Sequence, residues 1–152
     1  MKLVLFGNKT TTKSLLEHLI TNNRKPHTLV TLNLDSSNCE NISGVDKSLI
    51  NFAHSQKIKV FKPNSYSLNQ NDDIQFFLEN NFDIGLCTGW QRLIPEAILE
   101  SFKIGIFGWH GSGFEFPNGR GRSPINWSIR LGLEQIYHNC FKYNSGVDDG
   151  KL

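Results

Sequence analysis

Leu3-Val4-Leu5-Phe6-Gly7-Asn8-Lys9-Thr10-Thr11-Thr12 is the stretch from which the rest of the chain can be read. Four apolar residues ending on a glycine predict a strand buried on both faces. From Thr11 to Ile20, Leu15, Leu16, Leu19 and Ile20 recur at helical spacing, so the strand passes through a short polar turn into an amphipathic helix. The same alternation continues downstream. Strands are predicted over Leu29 to Leu34, Ile58 to Phe61 (stopped by Pro63), Asp83 to Thr88, Ile104 to Trp109 and Ile136 to Tyr143. Helices are predicted over Val45 to Gln56, around Ile74 to Leu78, over Glu96 to Phe102 after Pro95, and from Pro124 through Ile125, Ile129 and Leu131. Asp35 to Gly44 and His110 to Ser123 read as loops. Such alternation predicts an α/β domain with a mostly parallel sheet covered on both faces.

The 152 residues suit one domain. With 38% apolar residues and 13 glycines, the composition is that of a globular chain, and a core of this size needs no disulfide or metal staple. The formal net charge is +2, too small for a dedicated nucleic-acid binder. No apolar run is long enough to span a membrane, and Leu3–Phe6 is too short for a signal peptide. Cys39, Cys87 and Cys140 are far apart and form no zinc-binding spacing. They read as small buried hydrophobes in a reducing cytoplasm, and no metal is expected.

Ligands of parallel α/β sheets bind beyond the carboxyl ends of the strands, which directs attention to three segments. In Gly7–Thr12, Asn8 and Thr10 stand at a helix N-terminus able to hold a phosphate. Capping by Thr10 or Thr11 is the plain alternative. Gly89-Trp90-Gln91-Arg92-Leu93-Ile94-Pro95 follows the fourth strand. Phe107-Gly108-Trp109-His110-Gly111-Ser112 runs on to Arg120-Gly121-Arg122-Ser123-Pro124-Ile125-Asn126-Trp127. On a strand, Gly108 and His110 share one face and Trp109 the other. Alone, His110 is as readily a hydrogen-bonded structural residue as a catalytic one. Trp109 and Trp127 read as core, and Arg120 with Arg122 as a phosphate grip or a solvated pair. Asn144-Ser145-Gly146-Val147-Asp148-Asp149-Gly150 reads as a tight acidic turn; it lacks the ligand spacing of a calcium loop.

Together these pieces resemble the catalytic domain of the folate-dependent formyltransferases, which include methionyl-tRNA, glycinamide ribonucleotide and sugar N-formyltransferases. Gly89–Pro95 is similar to the family's segment beside the pterin. His110-Gly111-Ser112 is similar to its His-x-Ser, Arg120–Trp127 to the continuation of that motif, and Val147-Asp148-Asp149-Gly150 to its catalytic acidic loop. The resemblance implies a Rossmann-like three-layer α/β/α domain over residues 1–152. It also implies transfer of a formyl group from 10-formyltetrahydrofolate to a primary amine. His110 would stabilise the oxyanion or move the proton, and Asp148 would orient it. Arg92, Leu93, Ile94, Tyr143, Asn144 and Ser145 would bind the cofactor. Asn8, Thr10, Ser112, Arg120 and Arg122 would bind the acceptor.

The expected acceptor is an amino-sugar nucleotide or another small phosphorylated amine. The alternatives are a hydrolase using the same site, or an inactive folate- or nucleotide-binding module. The family's Asn two residues before the histidine is Gly108 here, so an Asn at this position is expected to raise turnover. If Asn118 or Asn144 already supplies the donor, that Asn should crowd the site instead. Members of the family continue past the acidic loop with a strand and a helix. The domain is therefore expected to lack its last strand and helix, and with a sheet edge uncovered to be marginally stable, to self-associate, or to belong to a longer gene product.

Overall fold

The computed structural model describes residues 1–33 and 44–152. Strands and helices alternate: β1 (Leu3–Phe6), α1 (Thr10–Thr21), β2 (Thr28–Val30), α2 (Leu49–Ser55), β3 (Lys59–Phe61), α3 (Asn71–Asn80), β4 (Ile84–Cys87), α4 (Glu96–Glu100), β5 (Gly105–Ser112), α5 (Pro124–Arg130) and β6 (Tyr137–Lys142). The sheet order is β3-β2-β1-β4-β5-β6. Every pairing is parallel except β5 with β6, which is antiparallel. The strand order reverses between β1 and β4, the place in such sheets beside which ligands bind beyond the carboxyl ends.

β1 sits at the centre and is buried on both faces, the physical reason its sequence is an unbroken apolar run. Its side chains divide by period two. Val4 and Phe6 face the larger core cluster with Phe77, Phe82, Ile98, Phe102 and Ile106. Leu5 faces a second cluster with Leu16, Leu29, Leu49, Ala53 and Ile58. The ring of Phe6 stacks on Phe77 at 5.6 Å and meets Trp90 edge-on at 6.3 Å. Each such buried ring contributes about 1.5–3 kcal/mol by leaving water. Gly7 ends β1 because the backbone closes tightly there. A Cβ at Gly7 would overlap the Thr88 carbonyl oxygen and Thr12 Oγ1.

Several local expectations change. The N-terminus of α1 is capped by neither Thr10 nor Thr11: Thr12 Oγ1 reaches back to accept the Lys9 amide at 3.1 Å and donates to Thr88 O at 2.7 Å. α2 starts at Leu49, and Val45 instead bridges Lys9. β5 runs on to Ser112, so His110 is a strand residue paired with Asn139 rather than the start of a loop. Trp127 is 54% exposed and Ile129 72% exposed; Trp127 is therefore not core, and its ring stacks under Arg130. Trp109 is also exposed. Cys87 is buried but Cys140 is not, because Cys140 lies on β6 at the sheet edge. Leu34, most of the Asp35–Gly44 loop and Cys39 lie outside the described residues. Beyond β6 the chain turns back, and Lys142 bridges Lys151, its amide donating to Lys151 O at 2.8 Å. That return closes the acidic loop. Among the described residues, no helix is long and apolar enough to cross a membrane.

Candidate active site

A cleft of about 450 Å³ opens where four segments converge, a volume typical of small-molecule sites. The β4–α4 loop supplies Trp90 to Ile94. β5 supplies Trp109 and His110, and the loop before α5 supplies Gly121 to Ser123. The end of β6 and the acidic loop supply Phe141, Tyr143, Asn144 and Gly146 to Asp148.

His110 is 8% exposed, with an acceptor oxygen near each ring nitrogen. Nδ1 lies 3.5 Å from Asp148 Oδ2, and Nε2 lies 2.7 Å from the carbonyl oxygen of Gly119. Both neighbours accept only, so a neutral ring can donate to one of them and a protonated ring to both. Asp148 adopts a left-handed backbone with φ 45°, a conformation for which Asp is one of the more tolerant side-chain-bearing residues. From there Oδ2 also accepts the Gly121 amide at 2.9 Å.

Behind Tyr143, which lines the cleft, lies Cys87 of β4. Burial pushes the Cys87 thiol up to about 12, with its bonds to Tyr143 and to the Trp90 backbone opposing. Burial likewise pushes the Tyr143 phenol far above its ordinary value; the Cys87 thiol and the Asp148 carboxylate act in the same direction. Tyr66, also raised by burial, accepts the Gln91 amide at 2.9 Å and lies under the Arg92 guanidinium at 5.0 Å. The loop that forms one side of the cleft is thereby tied to the core.

Of the residues singled out from sequence, the cleft brings together His110, Asp148, Arg92, Leu93, Ile94, Arg122, Tyr143 and Asn144. Asn8, Thr10, Ser112, Arg120 and Ser145 do not line it. Ser112 is buried, and its hydroxyl accepts the Phe114 amide at 3.1 Å. Arg120 Nε donates to Pro117 O at 2.9 Å. Asn8 is 1% exposed, and its side chain lies beside the Tyr66 hydroxyl without a hydrogen bond of good geometry. Sequence reasoning missed Gly119 and Gly121, which contribute only backbone groups, and the Tyr143 hydroxyl. No residue-type pattern could have signalled the two glycines.

The cleft fits a folate. Its walls include the apolar Trp90, Leu93, Ile94, Phe141 and Val147, which suit a flat ring. Among the described residues, the backbone groups of Arg92–Ile94 and Asn144–Val147 make no backbone–backbone hydrogen bond. Trp90 Nε1 is buried without a partner. A heterocycle with donors and acceptors on its edge would satisfy such groups.

A three-layer fold with a His–Asp pair in a cleft at the strand ends defines an enzyme-like α/β domain. The profile of the formyl transferase family matches residues 1–152, and the chain belongs to that family. It is 32% identical over 104 residues to the methionyl-tRNA formyltransferase of Prochlorococcus marinus (strain MIT 9312), covering 66% of this chain and 30% of that protein. The fold matches the phosphoribosylglycinamide formyltransferase of Bacillus halodurans with a TM-score of 0.75 at 15% identity, covering 99% of this chain and 76% of that one. It also matches a formyltetrahydrofolate deformylase from Pseudomonas putida KT2440 with a TM-score of 0.67 at 15% identity, covering 98% and 51%. Where curated relatives match its full extent, the chain spans under half of their length.

Proposed function

We propose that this domain transfers the formyl group of 10-formyltetrahydrofolate to a primary amine. The observation that carries the reading is His110, buried in the cleft wall with Asp148 at 3.5 Å, inside a chain that belongs to the formyl transferase family. The bound folate would supply an electrophilic formyl carbon. Arg92, Leu93, Ile94, Tyr143, Asn144 and Ser145 would hold it, the apolar ones against its ring and the backbone of the two loops along its edge. His110 would take the proton that the attacking nitrogen must lose, or donate to the oxygen that gains charge. Asp148 would keep the ring oriented and favour its charged form as the proton arrives.

Arg122 lines the cleft and would bind the acceptor, and an amino-sugar nucleotide offers phosphates for it to grip; Asn8, Thr10, Ser112 and Arg120 stand outside the cleft wall. The names of the curated relatives favour a second acceptor, the amino group of methionyl-tRNA. The deformylase neighbours favour water as the acceptor in the same site. A reducing cytoplasm suits a folate-dependent reaction of this kind.

The test is calorimetry and a formyl-transfer assay on the same protein. A reduced folate should bind, and at a hundred times its dissociation constant should add about 2.7 kcal/mol to stability. Formyl product should then appear with an amino-sugar nucleotide, with methionyl-tRNA, or as free formate. Absence of folate binding at millimolar concentration would remove the cofactor. Binding without any turnover would leave an inactive folate-binding module.

A further inference from the structure

Gly108 carries no side chain, and the space in front of its Cα is filled from the neighbouring strand. A Cβ on Gly108 would overlap the Oη, Cε1 and Cζ atoms of Tyr143. Tyr143 follows β6 directly, with its amide donating to Ile106 O at 2.8 Å and its ring tilted against Phe141 at 5.1 Å. Backbone and ring are therefore both fixed. The hydroxyl lies beside the thiol of Cys87, the β4 residue that pairs with Gly108. Gly108 and His110 are buried on the same face of β5, with exposed Trp109 between them. Tyr143 and His110 both line the cleft.

We propose that Tyr143 is a catalytic hydrogen-bond donor, its hydroxyl standing over the bare Cα of Gly108 and donating to the carbonyl oxygen of the formyl group during transfer. This rests on the formyl-transfer reading. As the amine nitrogen bonds to the formyl carbon, the carbonyl electron pair moves onto oxygen. The pair returns when the bond from carbon to N10 breaks. The amine proton leaves through His110, and N10 leaves with the electrons of its bond and takes a proton. Tyr143 keeps its own proton throughout, as its burial beside the Asp148 carboxylate and the Cys87 thiol requires.

The group beside that hydroxyl at rest is a thiol, whose sulfur is a weak acceptor. A charged oxygen is a stronger acceptor, and hydrogen bonds to ionised groups are roughly twice as strong as neutral ones. Exchange of sulfur for oxygen therefore favours the transition state over the resting site, the difference that raises rate.

Tyr143→Phe keeps the ring and removes the hydroxyl. It is expected to lower kcat about 10²–10³-fold, while KM and the calorimetric Kd for tetrahydrofolate stay within twofold of wild type. A second reading needs no turnover. With tyrosine labelled at the ζ carbon with ¹³C, the Tyr143 resonance should shift on addition of 10-formyltetrahydrofolate and stay put with tetrahydrofolate. A Tyr143→Phe enzyme with kcat within threefold of wild type, or a resonance that ignores the formyl group, overturns the proposal and leaves the formyl-transfer reading standing. A wild-type protein that binds folate but neither transfers nor releases formyl overturns both. If Tyr143→Phe loses folate binding as well, the hydroxyl serves the architecture of the slot, and the donor role is rejected.

Discussion

One oxygen of Asp148 holds two elements at once: Oδ2 lies 3.5 Å from His110 Nδ1 and accepts the Gly121 amide at 2.9 Å. The ring on β5 and the loop before α5 are thus referred to a single carboxylate. Gly119 O closes the other side of the ring at 2.7 Å. Orientation of His110 and order in the loop are therefore one property.

Asp148→Asn and Asp148→Ala separate the two roles. Asparagine retains an oxygen for the Gly121 amide and loses the charge. It should slow formyl transfer by about 10²–10⁴-fold, with no change in trypsin cleavage at Arg120 and Arg122. Alanine should lose the rate and also speed cleavage at those two arginines. Unchanged turnover in Asp148→Asn would remove the carboxylate from the chemistry.

Tyr143 occupies the space at Gly108, so a side chain there is expected to do harm. Gly108→Ala forces the Tyr143 ring aside, and overpacking of this kind costs about 1–3 kcal/mol in urea denaturation. Gly108→Asn should slow turnover rather than raise it. The sequence had pointed to Asn118 or Asn144 as the group in competition, but the residue in contact is Tyr143. Tyr143→Ala should relieve much of the cost of Gly108→Ala, a non-additivity expected of residues in contact. Additive costs would show that the two residues do not meet.

The Asp83 carboxylate accepts from Lys103 Nζ at 2.7 Å and from the Lys2 amide. These bonds hold it below its ordinary value of 3.8. A carboxylate with a lowered folded-state value contributes stability that is present above the ordinary value and lost as pH falls through the lowered one. The Tm difference between wild type and Asp83→Asn should therefore be constant near neutral pH and shrink only below about pH 4. A difference that persists unchanged to pH 2 would show that the ion pair with Lys103 is not its source. The Lys103 side chain of the pair is exposed, so raised salt should also narrow the gap.

The layered fold was legible because hydrophobic burial writes itself into sequence with a period. Leu3–Phe6 had to be apolar throughout to be covered on both faces, and Leu15, Leu16, Leu19 and Ile20 had to recur at helical spacing. His110, Asp148 and the Arg92–Ile94 segment were legible because each lies on a short motif with its own order. Ile125 and Ile129 misled for the same reason in reverse: their i, i+4 spacing is that of a buried helix face, yet both are exposed on α5. Periodicity reports which residues share a face and is silent on what covers it.

The sequence by itself determined the alternation of strands and helices, the burial of β1 and the candidacy of His110 and Asp148. Each of these follows from local spacing or from the turn that ends a strand. The tertiary structure alone decided that β6 runs antiparallel, that Gly119 and Gly121 clamp the histidine and its partner, and that Tyr143 fills the space left by Gly108. Those relationships join residues far apart in the chain through backbone groups and strand register. Register depends on the whole sheet pairing at once, so no local pattern of residue types carries it.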